Sequence, residues 1–115
     1  MQPPGWHTIV PRIVADDAKG LVAFITAVFH AKGEFVENRP TVVEVGDSHI
    51  MISETGERPA IPAFLYVYVE DADAAYARAI AAGATSLEAP LDTPYGDRRA
   101  MVEDGWHNVW QLATR

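Results

Sequence analysis

The sequence predicts an α+β fold of two tandem βαβββ modules. Three observations predict it. The same order of strand-like and helix-like segments runs twice through 115 residues. The helix entry of each half is written alike, VADDA from Val14 and VEDADA from Val69. The last strand of each half matches as well, HIMIS at His49–Ser53 against VWQLA at Val109–Ala113. The length suits one domain, so 1–115 is read as a single unit, with module 1 at about 8–54, a linker at 55–62 and module 2 at about 63–115.

Each element has a local reason. Thr8–Ala15 is rich in β-branched residues and reads as a strand, with Pro11 placing it at an edge or at a point where no ladder N–H is needed. Asp16 and Asp17 supply N-cap chemistry for a helix over Ala18–Ala31. In that helix Leu21, Phe24, Ile25, Val28 and Phe29 fall at helical spacing, and Lys32-Gly33 closes it. Glu34–Glu37, Thr41–Val45 and His49–Ser53 read as strands, separated by Asn38-Arg39-Pro40 and Gly46-Asp47. Thr55–Pro62 is the linker. Ala63–Val69 is then a strand, and Asp71 caps a helix that runs to about Ala82 and ends at Gly83. Thr85–Glu88, Arg99–Glu103 and Val109–Thr114 are strands, Pro90–Gly96 is a loop and Asp104-Gly105 opens a turn.

Composition narrows the function. The charge is −7, from 16 acidic and 9 basic residues, and no charged tail stands out. A negative field repels phosphate backbones, so nucleic-acid binding is not expected. There is no cysteine, which removes disulfides, thiolate nucleophiles and cysteine zinc sites together. Met1–Trp6 has neither the basic start nor the apolar core of a signal peptide, and no apolar run approaches a membrane span. A cytoplasmic protein without membrane contact is the expectation.

The stretch Thr93-Pro-Tyr-Gly-Asp-Arg-Arg-Ala-Met-Val-Glu-Asp104, followed by Asn108-Val-Trp-Gln-Leu-Ala-Thr114, resembles the C-terminal signature of the vicinal oxygen chelate (VOC) superfamily. This is the glyoxalase, bleomycin resistance protein and dioxygenase group, and the likeness is to its PhnB-like branch. Glu44–Ser48 through Ser53-Glu54 resembles the first-half hairpin of that branch. The sequence departs from the pattern where Gly105 replaces a usual proline and His107 a usual turn glycine. Histidine tolerates a left-handed turn better than most residues. The family includes isomerases, dioxygenases, lyases and drug-sequestering proteins, so the resemblance implies a fold, with curved mixed sheets around a cup, more firmly than a reaction.

The resemblance also implies four metal-ligand positions, which fall on Val10, Met51, Phe64 and Gln111. Valine and phenylalanine carry no donor, and a thioether suits soft copper(I) rather than a hard divalent ion. Gln111 alone can ligate, so no metal and no cofactor are expected. His7, His49 and His107 are the remaining route to a metal site, against a reading of scattered surface and turn histidines. His30 is read as a charge placed near a helix end.

Strand alternation sorts the residues into two faces. Ile9, Ile13, Ile50, Ile52, Leu65, Val67, Val69, Trp110 and Leu112 form an apolar set that packs under the helices. Arg12, His49, Met51, Phe64, Tyr66, Tyr68 and Gln111 lie on the other face, the cup of the implied fold, with Tyr95 over its mouth. Aromatic bodies with a few polar tips make an organic-ligand pocket. Arg12 either clamps a ligand carboxylate or phosphonate, or pairs with an internal acid such as Glu44 or Glu103, or reaches solvent. Tyr66 and Tyr68 either stack on a ring or donate hydrogen bonds, or else pack as ordinary half-buried sheet residues. His49 with Glu44 or Glu103 is a conceivable acid–base pair. Exposed Trp6 or Trp106 would mark a dimer contact or a stacking ligand.

The expectation is a metal-free binding protein for a small organic molecule, aromatic or acidic, working as a homodimer, with sequestration as a role open to it. The alternative is a VOC-type enzyme, a lyase, isomerase or dioxygenase-like protein, either metal-free or with displaced ligands.

Overall fold

A computed structural model describes residues 1–115. Strand β1 (Arg12–Ala15) leads to helix α1 (Ala18–Phe29), then β2 (Thr41–Val45) and β3 (Ser48–Glu54). The second half follows as β4 (Phe64–Tyr68), α2 (Ala72–Ala81), β5 (Thr85–Asp92), β6 (Arg98–Glu103) and β7 (Val109–Thr114). The strands form two separate mixed sheets, ordered β1-β3-β2 and β4-β7-β6-β5. This is the expected α+β class. No helix is long and apolar enough to cross a membrane.

The two halves share one register. Arg12 lies beside Met51 and Val14 beside Ser53 in the parallel β1–β3 pair. Tyr66 lies beside Gln111 and Tyr68 beside Ala113 in the parallel β4–β7 pair. The helix entries correspond too. Asp17 accepts from the Gly20 amide at 3.1 Å, and Asp71 accepts from the Ala74 amide at 3.1 Å. The end of the last strand completes each cap. Glu54 accepts from the Asp17 and Ala18 amides at 2.9 and 3.0 Å, while Thr114 accepts from the Ala72 amide at 2.8 Å. Otherwise orphaned amides at both helix starts are thereby satisfied, and the Glu54 charge also suits the helix dipole.

The helices pack against one another, and each covers one sheet. Between them lies a single core that includes Ile13, Leu21, Ile25, Val28, Val43, Ile52, Val102, Trp110 and Leu112. Phe29 of α1 tilts against Trp110 of β7 at 5.1 Å, so the core is continuous across the halves. Leu65, Val67 and Val69 pack on this core as expected. Ile9 does not: it is 82% exposed, because regular pairing of β1 starts only at Arg12.

Three boundaries differ from the sequence reading. Glu34–Glu37 forms no strand, so the first half is one strand shorter than the second. There the Thr41 side chain takes the Val36 amide at 2.9 Å, in place of a ladder partner, and Asn38 turns left-handed at φ 65°. Only Lys32 and Glu44 bridge, next to Gly33, where φ is 121° and an added Cβ would sit 2.5 Å from the Val42 carbonyl oxygen. Helix α1 stops at Phe29, because His30 takes the left-handed cap that the sequence suggested for glycine. Strand β5 runs through Pro90 to Asp92, which register shifts between Ser86 and Leu91 accommodate.

Candidate functional site

The faces turned away from the helices carry the candidate residues. On the second sheet they form a connected group. Phe64, Tyr66 and Tyr68 project from β4 and are 68%, 38% and 59% exposed. The Tyr66 and Tyr68 rings meet edge to face at 5.5 Å. Gln111 is half-buried beside Tyr66.

Their hydroxyls converge on a carboxylate that sequence reasoning missed. Asp97 Oδ2 accepts from Tyr66 at 2.6 Å and Tyr68 at 2.9 Å, and Oδ1 accepts from Arg115 at 2.8 Å. Thr93 fixes the loop beneath it, accepting from the Asp97 amide at 2.9 Å and donating to its carbonyl at 2.8 Å. The Tyr66 hydroxyl leads the donors that hold the Asp97 carboxyl below its usual range, outweighing burial. Burial of its hydroxyl and donation to Asp97 push Tyr66 up. Tyr66 has a single proton, and the short bond to Asp97 uses it, so Tyr95 is the donor across the 3.3 Å Tyr66–Tyr95 pair. Tyr95 in turn accepts from Arg99 at 3.0 Å, and Arg99 forks onto Glu88 at 2.8 and 3.0 Å. The result is a directed chain from Arg99 through Tyr95 and Tyr66 to Asp97. Its members Tyr95, Asp97 and Arg99 lie in the Thr93–Arg99 stretch, of which only Tyr95 was read as a site residue and the rest as a family mark.

The first sheet carries Arg12, His49 and Met51. Arg12 is exposed and pairs with neither Glu44 nor Glu103; its Nε donates to Ser53 at 3.0 Å. It opens onto a cleft of about 760 Å³ that Arg39 and Arg58 also line, together with Glu37, Glu54 and Glu57. Met51 is half-buried beside it in register. His49 approaches Glu44 at 3.2 Å and stacks flat on Trp6, with centroids 4.0 Å apart and planes within 1°. Trp106 instead packs edge-on against Phe24 of α1 at 6.3 Å.

No hydrogen bond or ring contact joins the outer-face side chains of one sheet to those of the other. Arg12, His49 and Met51 are therefore not in contact with Phe64, Tyr66, Tyr68, Tyr95 and Gln111 within one chain, although Glu44, the partner of His49, lines a cleft together with Tyr68. The histidines are also dispersed, with His7 near Asp47, His49 near Glu44 and His107 near Glu103. His107 adopts φ 68°, the left-handed turn expected of it. No three His, Asp or Glu side chains converge as metal ligands. The four implied ligand positions offer a divalent ion only the Gln111 amide, so these residues do not fit one.

Comparison with known proteins identifies the family and the fold. The sequence profile described as "Glyoxalase/Bleomycin resistance protein/Dioxygenase superfamily" matches residues 7–112. Two uncharacterised mycobacterial proteins, from Mycobacterium bovis and Mycobacterium tuberculosis, are each 29% identical over 120 aligned positions. The match covers 89% of this chain and 79% and 71% of theirs. Among solved structures, TioX from Micromonospora sp. ML1 superposes with a TM-score of 0.80 at 22% identity, over 94% of this chain and 98% of that one. A glyoxalase/bleomycin resistance protein/dioxygenase family enzyme from Burkholderia phytofirmans PsJN gives 0.76 at 24%, over 91% and 95%. The fosfomycin resistance protein FosX from Mesorhizobium loti gives 0.72 at 18%, over 95% and 88%. At these identities the structural likeness speaks for the fold alone.

Proposed function

The chain belongs to the Glyoxalase/Bleomycin resistance protein/Dioxygenase superfamily, and on that footing we propose that it binds a small organic molecule without a metal, in a cup that two copies complete between them. The observation that carries this reading is the bare aromatic face of β4, with Phe64 and Tyr68 more than half exposed beside ordered hydroxyls. Large apolar side chains left open on one face mark a binding surface. A homodimer follows from the edges. Strand β4 has a hydrogen-bonded neighbour on one side only, and β1 has β3 on one side and a single bridge to Ile61 on the other. Pairing β1 of one copy with β4 of the next would set Arg12, His49 and Met51 opposite Tyr66, Tyr68, Tyr95 and Gln111. Aromatic stacking on β4 and the free Arg12 guanidinium suit a ligand with an aromatic body or an acidic group. The Thr93–Asp104 stretch supports placement in the PhnB-like branch, and sequestration is the role this site supports best.

Thermal-shift titration with aromatic and aromatic-acid compounds tests it. A ligand at 100 times its Kd should stabilise the fold by about 2.7 kcal/mol, and Tyr66→Ala should shrink that shift. No stabilisation by any compound in a broad panel would overturn the reading. The enzymatic alternative has the His49–Glu44 pair in its favour. Its test is turnover of a bound ligand that His49→Gln abolishes while binding persists.

A further inference from the structure

The only buried side-chain nitrogen or oxygen without a partner is Nδ1 of His49. The side chain is 10% exposed. Its Nε2 faces Oε1 of Glu44 at 3.2 Å. A carboxylate only accepts, so that bond places the proton on Nε2 and leaves Nδ1 a lone-pair acceptor in the neutral ring. An acceptor shut away without a donor is costly. Folded proteins rarely keep one without a use for it.

What covers this ring is weakly held. Residues 1–11 form no helix or strand, and Trp6 lies flat on His49 at 4.0 Å. Apart from the stack, the arm has a turn from the Trp6 amide to the Pro3 carbonyl at 3.1 Å, and its far end is anchored where the Pro11 carbonyl accepts from the Met51 amide at 2.9 Å. It also has a contact between His7 and Asp47 at 3.4 Å, with side chains 55% and 89% exposed. Exposed pairs of that kind contribute little. The indole satisfies the face of the imidazole and gives nothing to Nδ1 at its edge.

We propose that residues 1–10 are a strap, anchored at Pro11, over a ligand site at His49, and that the site takes an aromatic molecule bearing an O–H or N–H donor. The donor answers Nδ1 at the edge of the ring, and the apolar body fills the space that the Trp6 indole leaves. Glu44 is a positioning residue that fixes which ring nitrogen accepts. Arg12 and Met51 lie on the same face of the sheet and line the approach. This inference rests on reading the outer faces as a ligand cup, and it adds the ligand's polar group and the strap.

The probes are β-naphthol and its methyl ether, which differ in the one donor, titrated by fluorescence against the full chain. Trp6→Ala should bind β-naphthol about three- to tenfold tighter than the parent, because the stack no longer competes. The ether should bind that variant about tenfold more weakly than the naphthol. His49→Phe keeps a ring for Trp6 but has no acceptor, and it should bind the two probes alike. Unchanged or weaker naphthol binding by Trp6→Ala would overturn the strap, and equal binding of the two probes by that variant would overturn the role of Nδ1. If probes bind and respond to Tyr66→Ala but not to Trp6→Ala, the inference falls while the cup reading stands. If no aromatic probe binds any variant, both fall.

Discussion

The two halves of this protein are built to one plan and finished differently. Both place an Asp at the helix entry, close the cap from the end of the last strand, and pair the first strand with the last in the same register. Their outer faces share almost nothing. The first carries a guanidinium, a thioether and an imidazole under a strap, and the second carries three exposed aromatic rings, two of them tied by their hydroxyls to a buried carboxylate. Outer-face positions do not contribute to the common core, so they are free to diverge while the helix-facing positions stay apolar. The hairpin turns differ in the same way. Gly46-Asp47 is an exposed two-residue turn. Its counterpart buries Asp104, which accepts from the Trp106 and Asn108 amides, the Asn108 side chain and the Trp110 indole, all at 2.8–2.9 Å.

The largest way to break this comparison is at that turn. Asp104→Ala leaves the buried Trp110 indole N–H and two amides without their acceptor, and should cost about 3 kcal/mol or more in urea unfolding. Helix entry comes next. Gly20 and Ala74 hold the same place in their caps, but a Cβ on Gly20 would lie 2.4 Å from Asp17 Oδ2 and 3.0 Å from Trp106. Alanine there should gain about 1 kcal/mol in helix propensity, yet Gly20→Ala should destabilise by about 1–2 kcal/mol as cap and indole are pushed aside. A smaller effect is one of pH. Asp97 titrates lower in the folded chain than unfolded, chiefly through Tyr66. Its stabilisation is therefore present above the ordinary value of about 3.9 and is lost as pH falls through the lower folded value. Asp97→Asn should flatten that part of the acid limb in unfolding monitored against pH. The smallest effect is in the first hairpin, where Asp47→Ala should stay within about 0.5 kcal/mol of the parent, because its side chain is 89% exposed.

The sequence was most legible where local chemistry and burial agree. Asp71 and Gly83 bracket α2 as read, and β7 spans the expected residues, because caps and alternation act locally. Glu34–Glu37 was misread because a threonine hydroxyl several residues away replaced its ladder partner. The candidate site was legible by strand parity for Tyr66, Tyr68, His49 and Gln111. Asp97, Arg99 and Arg115 were not, since they meet the tyrosines only through the fold. Parity also could not tell that these side chains of the two faces are not in contact within one chain.

Whether two copies reunite those faces is open to direct measurement, and the absence of native cysteine makes the test clean. Arg12→Cys and Tyr66→Cys, combined in one chain and treated with a short bismaleimide, should yield a covalent species of twice the 12.6 kDa chain. Each single variant should give much less of it. A product that stays at the mass of one chain, at concentrations where the protein binds its ligand, would contradict the shared cup.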